Sequence, residues 1–534
     1  MTAHSGQASM PLRIKRLTLT DFRAFPGAAP AHFDLDGNNL LVYGENGSGK
    51  SSIFHALAGF FSVKRSRNLQ SHKNVFSGEP ETGCSVNIDF NDGAPSASWC
   101  LQTTSGAFNA AAFNSHAIGG AGPIRERHPA AVSGGNDARV IQTALRRACL
   151  DYRALLDTNY RHGDGSVNLF DIALERLLAD YPVPVAGGVA RTIGELWQAV
   201  EQAKPAKHGP RTLARVNQAC ADFNSAFNQA LTALHPLVGS LLGELIGADV
   251  TVAPFVFGGI TYTAAYYKSA RVFAGQTLTL DVSYRTHKIT APQNFLNEAR
   301  LSALALSVYL AGRLACTPAA TSNALKLLVL DDVLIGLDHS NRLPVLDVLH
   351  THFADWQVVL LTHDRIWFDL ARGRLPEENW VCCEVYEGDP AATAPMPIVR
   401  PTMNRPAKAL LQKANELLKL GYVEAAANYA RQAFELGMRI ACEVIPIEMP
   451  FKQSSQDHKS QELLDKLVKW KVKGRLAKQG ITQNTWDDAL HRLQMFKNVV
   501  MNPYSHPSSP NIPKQEVTDA IAAVTAFLDL VAKK

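Results

Sequence analysis

The chain has little of what would tie it to a membrane or to an oxidising compartment. Its 534 residues include eight cysteines, scattered at 84, 100, 149, 220, 316, 382, 383 and 442 with no Cys-x-x-Cys pair. That usage favours reduced thiols in a cytoplasm and argues against a zinc site. No apolar run approaches the roughly 18–20 residues of a membrane span, and the greasiest segment is broken by Arg313. The first residues lack the basic start and apolar core of a secretion signal, so a cytoplasmic location with no membrane contact is expected. Charge is sparse as well: charged residues are 19%, and a net charge of +5 is too small to name a partner. Internal repeats are absent. Hydrophobic residues at 46% nevertheless exclude a mostly disordered protein, and the length predicts about three or four domains.

The apolar pattern divides the chain. Residues 12–43 read as two short strands, the second being Leu40-Leu41-Val42-Tyr43. A helix follows, then two strands over 84–101. From about Asn136 to Leu245 the pattern is helical, with Leu145, Leu150 and Leu155 among charged residues and Leu174, Leu177 and Leu178 on one helical face. Period-two character returns over 248–290, and a helix is expected at 296–315. Leu327–Leu330 and Val358–Leu361 are continuous apolar runs, suited to the buried centre of a parallel or mixed sheet. A proline-rich linker, Pro390 to Pro406, precedes an almost wholly helical segment.

The strongest motif is Gly44-Glu45-Asn46-Gly47-Ser48-Gly49-Lys50-Ser51, which matches G-x-x-x-x-G-K-[ST] between an apolar strand and a helix. Its glycines let backbone N–H groups wrap a phosphate chain at a helix N-terminus. Lys50 would bridge the outer phosphates, and Ser51 would help hold Mg²⁺. Two distant segments carry the remaining chemistry. Asp331 and Asp332 end an apolar strand, where the first suits a Mg²⁺ contact and the second an attacking water. His363 ends another apolar strand, within reach of a γ-phosphate.

Together these segments resemble the ABC-type ATPase heads of the RecF, SMC and related DNA-repair families. Leu19-Thr20-Asp21-Phe22-Arg23-Ala24-Phe25, followed by Asn46 through Ser52, is similar to their N-terminal lobe. The resemblance makes Asp331 and Asp332 the Walker B pair, Ile335-Gly336-Leu337-Asp338 the D-loop and His363 the switch histidine. Leu296 to Leu306 stands where the signature motif belongs, with Asn297 and Ala299 in place of the usual Ser and Gly, and Asp332 in place of Glu. Gln70 is available as a Q-loop glutamine. The resemblance implies ATP and Mg²⁺ as cofactors. ATP would be held by Gly44, Asn46, Gly47, Ser48, Gly49, Lys50, Ser51 and Ser52 of one chain and by Asn297 and Asp338 of a second. Ser51 and Asp331 would hold the metal, with Asp332 and His363 catalytic. A head-to-head homodimer, or a multiple of it, follows. The helical insert stands where such relatives carry a coiled-coil arm, and its length allows only a stub.

In the last segment, Arg431 and Glu435 share a helix face, and His506 follows the Asn502-Pro503 break. This set resembles the triad of the PrrC/RloC anticodon nucleases on a HEPN-type domain, and metal-free RNA cleavage needs such groups. An i,i+4 Arg/Glu pair is equally what a surface salt bridge looks like. The run Lys466 to Lys478 adds a basic stripe with Trp470, suited to phosphate contact and base stacking or simply to a solvated helix face. Residues 403–534 carry 19 Lys and Arg against 13 Asp and Glu, so the positive excess sits there.

The expected fold is α/β: an ABC/SMC-like P-loop head split by a helical insert, followed by an all-α domain. The expected boundaries are 1–135 for the head's N-lobe, 136–247 for the insert, 248–400 for its C-lobe and 401–534 for a HEPN-like domain. The expected function is an ATPase of bacterial anti-phage defence, similar to Septu-like systems, whose ATP-gated head pairing controls its own C-terminal nuclease or a separate nuclease effector. RNA or DNA would bind through the basic C-terminal domain. The alternatives are a RecF-like DNA-repair ATPase and a nucleotide-locked scaffold with little turnover.

Overall fold

Strands with no polar face need cover on both sides, and the central sheet supplies it. In the computed structural model, Asn39–Gly44 lies between Gln357–Thr362 and Trp380–Tyr386, and Gln357–Thr362 pairs in turn with Leu327–Asp331, all parallel. The full six-strand order is Ile398–Thr402, Trp380–Tyr386, Asn39–Gly44, Gln357–Thr362, Leu327–Asp331 and Cys149–Asp151. Alternate residues face opposite cores. Leu40, Val42, Val329, Val359 and Leu361 join one, while Leu41, Tyr43, Leu328, Leu330, Val358 and Leu360 join the other. Each of these side chains, fully buried, contributes about 1.5–3 kcal/mol.

The structure describes all residues except 1–10, 28, 63–68, 79–82, 104–114, 119–120, 128–136, 146–147, 158–167, 185–189, 206–208, 266, 268–269, 317–323, 377, 403–405, 450–458, 498–512 and 533–534. The chain separates into two units, Met1–Pro401 and Thr402–Lys534.

In the first unit, an antiparallel sheet runs in the order Ala31–Asp34, Ile14–Thr20, Ser85–Phe90, Ala97–Thr103, Ala121–Arg127, Ser115–Ile118. It shares its core with the helix Lys50–Phe60, through Leu17, Leu19, Val86 and Trp99 on one side and Ile53 and Leu57 on the other. The opposite core is filled by the helix Glu298–Ala315, buried from Leu301 to Arg313, and by the long helix Pro210–Ile246. Arg313 is buried with its charge answered: its guanidinium donates to the carbonyls of Arg176 and Leu177, the latter at 2.6 Å.

The segment expected as a helical insert differs in two ways. Cys149–Asp151, expected within a helix, is an edge strand paired in parallel with Leu327–Asp331. The segment's other described residues pack into the first unit's core, with Leu174, Leu177, Phe223, Phe227 and Leu234 beside residues of the helix Glu298–Ala315. Most of the buried apolar side chains among its described residues share that core.

The second unit is helical among its described residues: Pro406–Lys419, Val423–Val444, Ser460–Lys469, Gly474–Lys478, Gln483–Phe496 and Lys514–Ala532 surround Phe434, Trp486 and Phe527. Trp470 is 8% exposed and lies edge-on to Trp486 with ring centroids 5.4 Å apart. It is therefore a core residue, and the expectation that it stacks on bases is corrected. No helix of the described residues is long and apolar enough to cross a membrane.

Candidate functional site

The phosphate-loop motif leaves the buried strand Asn39–Gly44 and enters the helix Lys50–Phe60 through Gly49, which has φ +97°. A side chain there would be strained, and its Cβ would fall 2.9 Å from the Cβ of Ala24 and 3.2 Å from Cγ of Pro397. Only glycine satisfies both the backbone and the approach. The turn opens onto a cleft of about 440 Å³, lined by Glu45, Asn46, Gly47 and Gly49 of the loop but not by Gly44 or Ser48, by Lys50, Ser51, Ser52 and Asp332, and by Arg23, Ser71, His72, Lys73 and Val75.

Lys50 is buried and donates to Asp331 at 3.2 Å and to Asp332. Ser51 hydrogen-bonds the Asp331 carboxylate, so the two expected metal ligands touch. Burial pushes the Asp331 carboxyl above its ordinary pKa, against the pull of the Lys50 ammonium. Asp332 adopts a left-handed backbone at φ +54°, a region that Asp enters more readily than most residues. That turn aims its carboxylate between two partners. Oδ2 accepts from Lys50, while Oδ1 accepts from the backbone N–H of His363 at 3.0 Å and lies 2.9 Å from His363 Nδ1. The predicted residues Lys50, Ser51, Asp331, Asp332 and His363 thus form one continuous network.

Asn297 and Asp338 do not line this cleft. Asn297 caps the helix Glu298–Ala315, its Oδ1 accepting from Arg300 N–H at 3.1 Å, which leaves its amide N–H groups for other partners. Asp338 is exposed at the start of His339–Arg342 and makes no side-chain cap bond. The intervening turn packs on the same helix, because a Cβ at Gly336 would collide with Ser302 Oγ. Gln70 stands in a short 3₁₀ turn, Leu69–His72, beside the lining residues rather than among them.

Sequence reasoning missed the roof of the cleft. Arg23 N–H donates to His72 O at 2.6 Å, Asn74 N–H to Asp21 O at 3.1 Å, and Asn74 Nδ2 to Arg23 O at 2.6 Å. Lys73 pairs with the buried Asp21 at 3.3 Å. Asp21 and Arg23 both have positive φ, near +50°. Arg23 stood inside the quoted Leu19–Phe25 motif, a signal without an assigned role. No local pattern marks His72 or Lys73, which reach the cleft by tertiary folding alone.

The donor set fits a Mg²⁺–triphosphate. Arg23, Lys50 and Lys73, a helix N-terminus and the hydroxyls of Ser51 and Ser52 surround a space within the range that small ligands fill. No group of three or more His, Cys, Asp or Glu able to hold a metal occurs among the described residues. Magnesium does not need one, since it commonly uses one or two protein oxygens beside phosphate and water.

Residues 16–115 match the family described as AAA domain. The match contains the phosphate loop and both roof segments. Among solved structures, the chain is similar to an Smc head bound to the C-winged helix domain of ScpA, at 12% identity and TM-score 0.40 over 73% of this chain and 98% of that one. It is similar to an Smc head with an extended coiled coil bound to the C-terminal domain of ScpA, derived from Pyrococcus furiosus, at 11% and 0.40 over 76% and 99%. The recombination mediator RecF with ATP aligns at 11% and 0.40 over 75% and 100%. No curated protein matches the chain.

In the second unit, Arg431 Nε donates to Glu435 Oε1 at 3.0 Å, both side chains half-buried. His506 lies outside the described residues. A neighbour absent from the sequence reading is Lys497, buried and donating to Gln461, which in turn donates to Asp465 at 2.6 Å. Burial lowers the Lys497 pKa; Asp465 opposes that shift, Arg431 reinforces it and Glu435 opposes it.

Proposed function

We propose that this chain is an ABC/SMC-like ATPase that binds Mg²⁺–ATP in the cleft and hydrolyses it when two heads pair. The observation that carries the reading is the convergence of Lys50, Asp331, Asp332 and His363, from three distant segments, on one network. Magnesium, when bound, would be held by Ser51 and Asp331 and would neutralise phosphate charge. With nucleotide bound, Lys50 would turn from the two carboxylates to the phosphates. Asp332, released from Lys50 and still held by His363, orients water for in-line attack. Asn297 and Asp338, which do not line their own chain's cleft, serve the cleft of a second head. Asp332 is one methylene shorter than Glu, so slow turnover is expected.

Within this reading the protein serves anti-phage defence, and its C-terminal unit either cleaves RNA through Arg431, Glu435 and His506 or docks a separate nuclease. The test is nucleotide titration, phosphate release and light scattering on the purified chain. ATP-dependent dimers with turnover support the ATPase. Bound ATP with no turnover leaves the locked scaffold, and no nucleotide binding removes the proposal. Wild-type toxicity to cells and RNA breakage that disappear in Arg431→Ala support the nuclease.

A further inference from the structure

We infer that Arg342 is a positioning residue that ties the Ile335–Asp338 turn to the His363–Asp364 turn, so that engagement of the first is carried to Asp332. The inference rests on the ATPase reading above. Arg342 Nε donates to Leu337 O at 2.7 Å and Nη2 to Ile335 O at 3.3 Å. Its Nη1 donates to the carboxylate of Asp364, in an ion pair largely withdrawn from solvent. One planar guanidinium therefore spans two backbone carbonyls on one turn and, on another, the carboxylate of Asp364, 22 residues along the chain from Arg342. An ammonium cannot present that fork.

Both ends of the tie are themselves held. Asp364 Oδ1 accepts from Trp367 N–H at 2.9 Å and caps the helix Arg365–Arg374, while its own N–H donates to Thr362 Oγ1 at 3.1 Å. The adjacent His363 holds Asp332 by its backbone and its ring. At the other end, Gly336 is pressed on Ser302 of the helix that starts at Asn297, while Ile335 is 39% exposed and Asp338 is exposed. An unbroken chain of contacts then runs from the exposed turn through Arg342, Asp364 and His363 to Asp332 and Lys50. Such a contiguous polar network has two discrete arrangements available, because Lys50 is bound either to the acids or to phosphate. A second head pressing on Ile335–Asp338 biases that choice through this path, in addition to what its own Asn297 and Asp338 do at the cleft.

The experiment compares wild type, Arg342→Ala, Arg342→Lys, Ile335→Ala and the Arg342→Ala/Ile335→Ala double variant in the full chain. It measures nucleotide affinity, KM, kcat and the unfolding midpoint of each. We expect Arg342→Ala to leave affinity and KM within about twofold and to lower kcat about tenfold, the scale on which a residue couples two sites without contacting either ligand. Arg342→Lys should recover less than half of that loss, and it is the variant read if Arg342→Ala fails to fold. The double variant should be no slower than the slower single variant, as for residues acting through one path. An unchanged kcat in a folded Arg342→Ala overturns the inference. So do strictly additive losses, or affinity falling in step with kcat and the unfolding midpoint. If wild type turns ATP over and Arg342→Ala does so equally, only this inference falls. If wild type binds no ATP, the ATPase reading falls and takes the inference with it.

Discussion

The two units present their chemistry in opposite ways. In the first, the groups around the cleft come from positions 23, 50, 73, 331, 332 and 363, and they meet at the ends of buried parallel strands or on loops folded over them. In the second, Arg431 and Glu435 are four residues apart on one helix and half exposed. A local i,i+4 pair forms on any helix that carries those residues and contributes a few tenths of a kcal/mol. A network assembled from distant segments, with an acid held at positive φ and a buried lysine between two carboxylates, does not form by helix geometry alone. Non-local convergence is therefore the stronger mark of function, and the second unit's claim rests on what its pair does to RNA.

The largest way to sharpen this contrast is Lys50→Ala, which should weaken nucleotide binding by more than about 100-fold, the cost of removing a charge-assisted partner from a preorganised anion site. A fluorescent nucleotide titration reads it, and near wild-type affinity would break the cleft assignment. Next comes Trp486→Ala, which should destabilise the second unit by about 3–5 kcal/mol, since Trp486 is fully buried against Trp470 and Phe527. Denaturant unfolding of the full chain should then show the first unit's transition unmoved. Gly49→Ala should cost about 1–3 kcal/mol in strain at φ +97°, besides its clash with Ala24. Calorimetry with and without ATP would register both the lower midpoint and the lost ligand stabilisation. Arg431→Ala should change stability by less than about 1 kcal/mol. If it nonetheless abolishes RNA cleavage while the melting curve is unchanged, the local pair is a site after all.

Much of the cleft was legible in the sequence because its glycines, Lys50 and the acids at apolar strand ends obey strict local rules. The roof was not. Arg23, His72 and Lys73 reach the cleft through loops whose path is set by Phe22 stacking on His72 and by the Asp21–Lys73 ion pair. Cys149–Asp151 was read as helix because a three-residue strand carries almost no periodicity, and only the edge of Leu327–Asp331 recruits it. Trp470 was read beside lysines as a surface aromatic, whereas tertiary packing gave its ring to Trp486.

By itself, then, the sequence determined the phosphate loop, the order of the buried strands' apolar runs and the helical character of the last segment. These follow from glycine conformations, from continuous apolar runs and from the helical hydrophobic period of 3.6. The tertiary structure alone decided which strands became neighbours, that the helical segment folds into the head, and that Arg342 joins two turns. Such choices depend on which faces find mutual cover and which acceptors lie within reach of one guanidinium, and neither is encoded at any single stretch of chain.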